Sequence, residues 1–360
     1  MATTRMTHDE VLRVTVGVDT HKDTHVAQAK DQLGRRLGTP KVVPTTTAGY
    51  GELLEWARSL GQVEAFGIEG TGSWGAELAR YLAAEGVLVL EITRPNRQSR
   101  RQHGKSDPAD ADAAASTVLS GEATALPKSG TDKVEMVRVL RIARKTAVKA
   151  RTQAMNALRA VVVTAPDDLR ASLRVLSGLT LVRHCARMHP GPLTTPAAAV
   201  KTALRSLAIR YQFLGKEVAA LEATLTKLVA DAGPRLVALF GVGTDTAGAL
   251  LVAAGDNPER LHSEAAFSML CGSSPLEASS GKITRHRLNR GGDRQANAAL
   301  YRIVLVRLRW DQATQDYAAR RTAQGKSNPD IIRCLKRYVA REIYRALIGP
   351  SPAIPVADGS

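Results

Sequence analysis

The sequence lacks most features of a secreted, membrane-spanning or zinc-knuckle protein. Only three of its 360 residues are cysteines, and Cys185, Cys271 and Cys334 stand too far apart for a disulfide framework or a zinc knuckle. We expect reduced, buried thiols. No apolar run reaches the roughly 18 residues that a transmembrane helix needs, and no secretory signal is seen at the N-terminus. These absences predict a cytoplasmic protein with no membrane partner.

Acidic and aromatic residues are also scarce. Aspartate and glutamate number 34 against 50 lysines and arginines, which gives a formal net charge of +16, and aromatic residues make up 4% of the chain. Such an excess of positive charge predicts a polyanionic partner. Nucleic acid is the first expectation, and an anionic membrane surface is the rival that the lack of an apolar run disfavours.

The N-terminal third of the chain reads as a mixed α/β domain. Apolar, β-branched runs predict three meander strands at residues 13–18, 25–30 and 36–43. Helical and strand patterns then alternate, with further strands at 63–68 and 87–92. Three meander strands followed by alternating helices and strands are the order of the ribonuclease H-like (RuvC-like) fold. We predict this domain over residues 1–125.

The rest of the chain is predicted to be helical. A basic helix over 131–163 and a second long helix fall in a helical region at 126–232, followed by a C-terminal domain at 233–348 and a disordered tail at 349–360. The second long helix has an a/d apolar seam, which predicts a coiled coil or a two-helix hairpin rather than an ordinary amphipathic helix. The seam consists of Leu207, Tyr211, Leu214, Val218, Leu221, Leu225 and Leu228.

Two features of the C-terminal half are typical of nucleic-acid binding. "LFGVGTDTAG" predicts a helix-hairpin-helix-like element whose turn, at Gly241 and Gly243, offers backbone N–H groups to a phosphate, although a plain helical corner fits equally well. Between Ser279 and Trp310, eight lysines and arginines face a single aspartate, which predicts a strip that binds nucleic acid. We assign contacts in this strip to Lys282, Arg285, Arg287, Arg290 and Arg294.

Four carboxylates are placed where they can converge. Asp19 ends the first predicted strand and Glu69 the fourth, while Asp107 and Asp110 lie at i, i+3 on the next helix. A purely structural role, with Asp107 as the N-cap of the helix and Asp110 in its first turn, also explains these two residues. Converging carboxylates, however, repel one another unless a cation lies among them, and oxygen ligands suit Mg²⁺ or Mn²⁺. The set predicts a metal centre with two ions. For His21, Lys22, Asp23 and His25 we expect surface positions.

Three motifs together resemble a known family. "GVDTHKDTH", "IEGTGSWG" and "GKSDPADADAAA" resemble the acidic motifs of the DEDD transposases of the insertion-sequence one-ten family, bridge-RNA-guided recombinases related to Piv-type DNA invertases. "FSMLCGSSPLEASSGK" and "RGGDRQANAALYRIVLVRLR" are similar to that family's C-terminal transposase domain. The resemblance covers most of the chain.

The resemblance implies a ligand set, a nucleophile and partners. The metal ligands would be Asp19, Glu69, Asp107 and Asp110, with Asp112 as an alternative fourth ligand because "DPADAD" offers a second spacing. A serine nucleophile would be Ser280, with Ser279 adjacent. The family also implies DNA substrates, a noncoding guide (bridge) RNA, and a dimer to tetramer in which the catalytic groups come from different protomers.

Other functions compete with this interpretation. A metal-dependent Holliday-junction resolvase or nuclease needs the carboxylates and water but not Ser280. A sugar-kinase-like ATPase would explain "GVDT" and "GIEGTG", but not the basic charge. A nonenzymatic DNA-packaging protein would explain the charge, but not the four carboxylates.

Overall fold

The computed structural model describes residues 11–92, 106–281, 283 and 285–349. Lys282 and the predicted tail beyond Gly349 lie outside the described residues. The chain divides into two compact units, one of Met1–Gly130 with Gly255–Arg260 and one of Thr131–Ala254 with Leu261–Ser360. The regions predicted at 126–232 and 233–348 therefore fall, for the most part, in one unit.

The first unit is built on a mixed five-stranded sheet of order β3-β2-β1-β4-β5. Strands β1, β2 and β3 form the predicted antiparallel meander, and β4 and β5 run parallel to β1. The strands are β1 Arg13–Thr20, β2 Thr24–Asp31, β3 Arg36–Pro44, β4 Gln62–Glu69 and β5 Leu88–Ile92. The α/β part of the predicted fold class is confirmed, whereas the RuvC-like assignment stays a prediction.

Helices cover both faces of this sheet. The helices of the first unit are α1 Thr47–Leu60, α2 Ala76–Ala84 and α3 Asp107–Leu119. Alternate β1 residues such as Val16 and Val18 pack with Leu53 of α1 and Leu78 of α2 in one core, and α3 lies on the opposite face. Because both faces are covered, six consecutive residues of β1 are buried.

The second unit is helical apart from a short β-hairpin. Its long helices are α4 Lys133–Val163 and α7 Pro196–Ala232, with α5 Asp167–Arg174 and α6 Gly178–Ala186 between them. The helices that follow α7 are α8 Pro234–Val237, α9 Thr244–Ala254, α10 Glu264–Leu270, α11 Arg294–Trp310 and α12 Gln312–Ala323. The final helix is α13 Asn328–Ile348, and the hairpin strands are β6 Leu276–Glu277 and β7 His286–Arg287. The α part of the fold class is thus confirmed.

The predicted seam packs inside the chain. Val137 near the start of α4 shares a core with Leu225 near the end of α7, whereas Leu158 near the end of α4 shares a core with Leu204 of α7. The two helices are therefore antiparallel, which matches the hairpin alternative. No helix in the described ranges is long and apolar enough to cross a membrane.

Candidate metal centre and serine hairpin

Two strand glycines bring α3 directly onto the sheet. A Cβ atom on Gly17 of β1 would lie 2.0 Å from the carbonyl oxygen of Ala111, and one on Gly67 of β4 would lie 2.6 Å from Val118 Cγ2. Gly17 and Gly67 pair across the two strands, so together they form a flat strip under the helix. Any larger residue at Gly17 would push α3 away from the strand that carries Asp19.

The close approach gathers Asp19, His21 and Asp107. His21 Nε2 lies 3.2 Å from Asp19 Oδ2 and 3.3 Å from Asp107 Oδ2. One ligand atom from each residue lies within 4.8 Å of the others, a spacing at which one cation can contact all three. Helix α3 begins after Ser106, so Asp107 is its first residue and not its N-cap. The cap explanation of Asp107 is therefore wrong.

Glu69 and Asp110 border this cluster. Val18 pairs with Ile68 in parallel register, so Asp19 and Glu69 follow side by side on the face that α3 covers. Thr20 Oγ1 donates to the Glu69 carbonyl at 2.9 Å and ties the two strand ends together. Asp110 lies one turn along α3 from Asp107, close enough to interact electrostatically with Asp19.

The electrostatics of Asp19 fit a cation site. Burial raises the pKa of Asp19; His21 opposes this, and the carboxylates of Asp110 and Asp107 raise it further. A divalent ion would relieve this repulsion, and carboxylate oxygens are the donors that Mg²⁺ and Mn²⁺ prefer. The residues present therefore fit the predicted metal.

Asp112 has a different role from the other acidic residues of α3. Its carboxylate lies 2.7 Å from Arg36 Nε and 3.1 Å from Lys30 Nζ, and Lys30 also donates to Ser116. Burial would raise the pKa of Asp112, but hydrogen bonds from Arg36 and Lys30 outweigh it and lower the pKa. This pairing ties α3 to β2 and β3, which favours Asp110 over Asp112 as the fourth ligand.

The hairpin of β6 and β7 presents the two candidate serines. Ala278 N–H donates to Arg285 O, and Ser280 and Ile283 exchange backbone hydrogen bonds around Gly281, whose φ is +57°. Ser279 and Ser280 are both exposed at this tip. Ser279 Oγ accepts the Arg285 N–H at 3.2 Å, whereas Ser280 Oγ has no hydrogen bond within the described segments of the chain. The geometry favours Ser280 as the freer hydroxyl.

Two models of known protein families match separate parts of the chain. Residues 16–165 match a DEDD transposase family model described as "Transposase". Residues 234–319 match the model described as "Transposase IS116/IS110/IS902 family". The chain belongs to the IS110 family of transposases. No curated protein matches this transposase. Its family makes it an enzyme of insertion sequences that binds DNA and cleaves and transfers DNA strands, and the DEDD domain indicates the use of a divalent metal.

The basic strip of the transposase divides into paired and exposed cations. Arg302 lies 2.6 Å from Asp245 and Arg307 lies 2.6 Å from Glu342, so both stabilise the fold. Asp293 caps α11 by accepting N–H bonds from Gln295 and Ala296. Four arginines of the predicted set are exposed and form no salt bridge with a described residue: Arg285, Arg287, Arg290 and Arg294.

Asp245 of α9 gathers three arginines from two other helices. Arg141 of α4 contacts it at 2.9 Å, and Arg144 approaches to 3.6 Å, in addition to Arg302 of α11. Burial would raise the pKa of Asp245, but Arg141 and Arg302 outweigh it and hold the pKa below the usual value. The cluster joins the helical hairpin to the C-terminal helices of the same unit.

The Gly-Val-Gly turn of the transposase connects α8 to α9. Gly241 has a φ of +82°, which an L-residue rarely adopts. Gly243 N–H donates to Thr246 Oγ1 at 3.0 Å, so this particular donor is used inside the turn. Phosphate binding by Gly241 and Gly243 stays a prediction.

The expected surface position is confirmed for His21 and wrong for His25. His21 is on the surface but contacts both carboxylates, and its position two residues after Asp19 was the available signal. His25 is fully buried, so the expected surface position is wrong. Its ring stacks on Tyr50 at 5.8 Å, and burial lowers its pKa. Alternation with the buried Ala27 and Ala29 on β2 was the signal for burial.

Proposed function

We propose that this transposase catalyses RNA-guided cleavage and exchange of DNA strands through a metal-bound DEDD site and a serine nucleophile. The observation that carries the proposal is the convergence of Asp19, His21 and Asp107 at the mouth of the sheet, with Asp110 interacting with Asp19 and Glu69 beside it. The match to the DEDD model over these positions supports the same assignment.

The carboxylates are assigned to hold the metal. Asp19, Glu69, Asp107 and Asp110 would be the ligands of Mg²⁺ or Mn²⁺, in a two-ion arrangement. When bound, such ions stabilise the charge that develops on the attacking and leaving oxygens of a phosphodiester. His21 contacts two of the four carboxylates, and we assign it to orient them.

Ser280 is assigned to attack the scissile phosphate. Its Oγ forms a bond to phosphorus while the bond to the leaving deoxyribose oxygen breaks; the serine gives up its proton and the leaving oxygen gains one. The phosphoserine ester preserves the energy of the broken bond, so a hydroxyl of another strand reseals the DNA without ATP. Exposure of Ser280 at the hairpin tip supports this role.

The partners follow from the same proposal. The four exposed arginines of the strip would contact DNA phosphates, a noncoding guide RNA would select donor and target by base pairing, and a dimer to tetramer would bring carboxylates and serine together. The four carboxylates and Ser280 belong to different compact units.

A RuvC-like junction resolvase without a covalent intermediate is the second candidate. The acidic cluster alone favours it, because water suffices as nucleophile at such a site. It predicts cleavage that does not depend on either serine of the hairpin.

Neutral substitutions at the cluster test the metal assignment. Asp19→Asn or Asp107→Asn should abolish cleavage of element-end DNA in Mg²⁺, because each removes a ligand charge, while binding of the same DNA in EDTA persists. Asp23→Asn is the matched control, since Asp23 is exposed and close in sequence. Full cleavage by both Asp19→Asn and Asp107→Asn would overturn the metal assignment.

A further inference from the structure

A cavity of about 540 Å³ opens in the second unit, apart from the carboxylate cluster. Its walls are formed by α13, the end of α12, and the segments 272–275 and 286–289. The volume is within the range of sites that hold small ligands. Six of the lining side chains are cationic, namely Arg321, Lys326, Arg333, Lys336, Arg337 and Arg341, whereas Asp330 is the single carboxylate among the lining residues.

Most of this positive charge has no counter-ion. Arg333 pairs with Asp330, and Arg341 Nε lies 2.9 Å from Glu264 Oε1. The remaining four cations form no salt bridge with any carboxylate in the described part of the chain. Surface cations normally mix with acids, so four unpaired cations around one cavity indicate an anionic ligand.

Neutral groups hold these cations in place. Lys336 Nζ donates to Asn297 Oδ1 at 3.0 Å, and Arg337 donates to Ser268 Oγ. Arg321 donates through Nη1 to Gln324 at 2.7 Å, but its buried Nε has no acceptor among the described residues. A buried N–H donor without an acceptor is unfavourable, so Arg321 has fewer hydrogen-bond acceptors around it than its guanidinium can use. Burial, followed by repulsion from Arg333, lowers the pKa of Lys336, which is consistent with a shortage of negative charge.

The rest of the lining suits a nucleoside. Pro275, Leu288 and the half-exposed Tyr338 provide apolar surface beside the cations. A concave site of this size excludes a double helix but accepts one unstacked nucleotide, and aromatic and arginine side chains commonly hold unpaired bases.

We propose that this cavity binds an unpaired nucleotide of a nucleic-acid strand, with the phosphate on Arg321, Lys326 and Lys336 and the base against Leu288 and Tyr338. His286 lines the cavity and pairs in β7 with Glu277, three residues before Ser280, so the serine lies roughly 10 Å farther along the hairpin. The inference rests on the proposed function only for the role of Ser280, because binding of a nucleotide requires neither the metal nor the cleavage reaction.

Binding measurements on the full chain in EDTA test the proposal without catalysis. We compare fluorescently labelled oligo-dT, oligo-U and a duplex of the same length, using the double variant Arg321→Gln with Lys326→Gln. Arg320→Gln is the matched control, because it removes an exposed cation that does not line the cavity. The double variant should bind the single strands about tenfold or more weakly. Its salt slope should fall by about 0.7 log units per lost phosphate contact.

The outcomes separate the possible ligands. Loss with oligo-dT alone identifies DNA as the occupant, loss with oligo-U alone identifies RNA, and equal loss shows that the cavity accepts either strand. Unchanged affinity for both single strands, or a loss confined to the duplex, overturns the proposal. Because EDTA prevents cleavage, failure of the metal and serine assignments would leave these results unaffected.

Thiol labelling gives a second readout that needs no substitution. Cys334 lines the cavity and is half-buried, whereas Cys185 and Cys271 are fully buried. Bound oligonucleotide should slow maleimide labelling of Cys334 in the native chain. Labelling at the same rate with saturating oligo-dT and oligo-U would contradict the proposal even if the charge variants failed to fold.

Discussion

Replacing Gly17 with alanine should separate the carboxylates of α3 from Asp19. The added Cβ would lie 2.0 Å from Ala111 O and 2.3 Å from Ala115 N, and both atoms belong to the helix backbone. Cβ contacts below 3.0 Å are essentially never seen, so α3 must move by about 1 Å or more. Overpacking of this kind costs about 1–3 kcal/mol of stability.

The displacement is large compared with the tolerance of a metal site. Asp107 and Asp110 move with α3, whereas Asp19 stays on β1, and metal–ligand distances tolerate only about 0.2 Å. We expect Gly17→Ala to weaken Mn²⁺ binding and to lower DNA cleavage about 100-fold, the usual consequence of a 1 Å misplacement. Electron paramagnetic resonance of free Mn²⁺, a cleavage assay and a thermal melt measure the three effects.

Alanine substitutions at two other glycines serve as comparisons for Gly17→Ala. Gly67→Ala meets the Val118 side chain at 2.6 Å and the α3 backbone only at 3.0 Å, at Ala114 O, so its effect should be intermediate. Gly72 has no other heavy atom within 4 Å of its Cβ position, so Gly72→Ala should behave as wild type. A Gly17→Ala protein with unchanged melting temperature, Mn²⁺ affinity and cleavage would refute the packing argument.

Three further predictions concern the second unit. The lowered pKa of Asp245 contributes stability that is fully present above the usual aspartate pKa of 3.8 and is lost as the pH falls through the folded-state pKa. Asp245→Asn should remove this stability, so the difference between its melting temperature and that of the wild type should shrink in acid. Leu225→Asp should destabilise the α4–α7 hairpin by about 3 kcal/mol or more, because it buries a charge in the core; an unchanged circular dichroism melt would contradict this. Replacing Arg285, Arg287 and Arg290 with alanine should flatten the salt dependence of duplex binding by about 0.9 log units per lost phosphate contact, and an unaltered slope would place the contacts elsewhere.

The sequence was sufficient to predict the sheet because its strands are strongly patterned. The predicted strand at residues 13–18 corresponds to Arg13–Thr20, and the predicted strand at 63–68 corresponds to Gln62–Glu69. The long helices were equally clear, since their apolar periodicity persists over many turns. The sequence left open whether the seam formed within or between chains, because an a/d pattern does not identify its partner.

The details of the acidic site depended on tertiary contacts. Asp110 and Asp112 differ by about 200° around α3, so one lies toward Asp19 and the other toward Lys30, a distinction that spacing alone did not decide. The close approach of α3 depended on Gly17 and Gly67 being in register on neighbouring strands. Glycine within a strand is a signal for such an approach, but the strand pairing must be known before it can be used.

The most direct test of the proposed chemistry is a search for a covalent protein–DNA adduct. The full chain is incubated with element-end DNA, flanking RNA and Mg²⁺, and the products are separated on a denaturing gel. The wild type and Ser279→Ala should form the adduct and recombine, whereas Ser280→Ala should do neither, because water in place of the serine would discard the ester needed for resealing. Normal recombination by Ser280→Ala, by Ser279→Ala and by the double variant would contradict the serine mechanism.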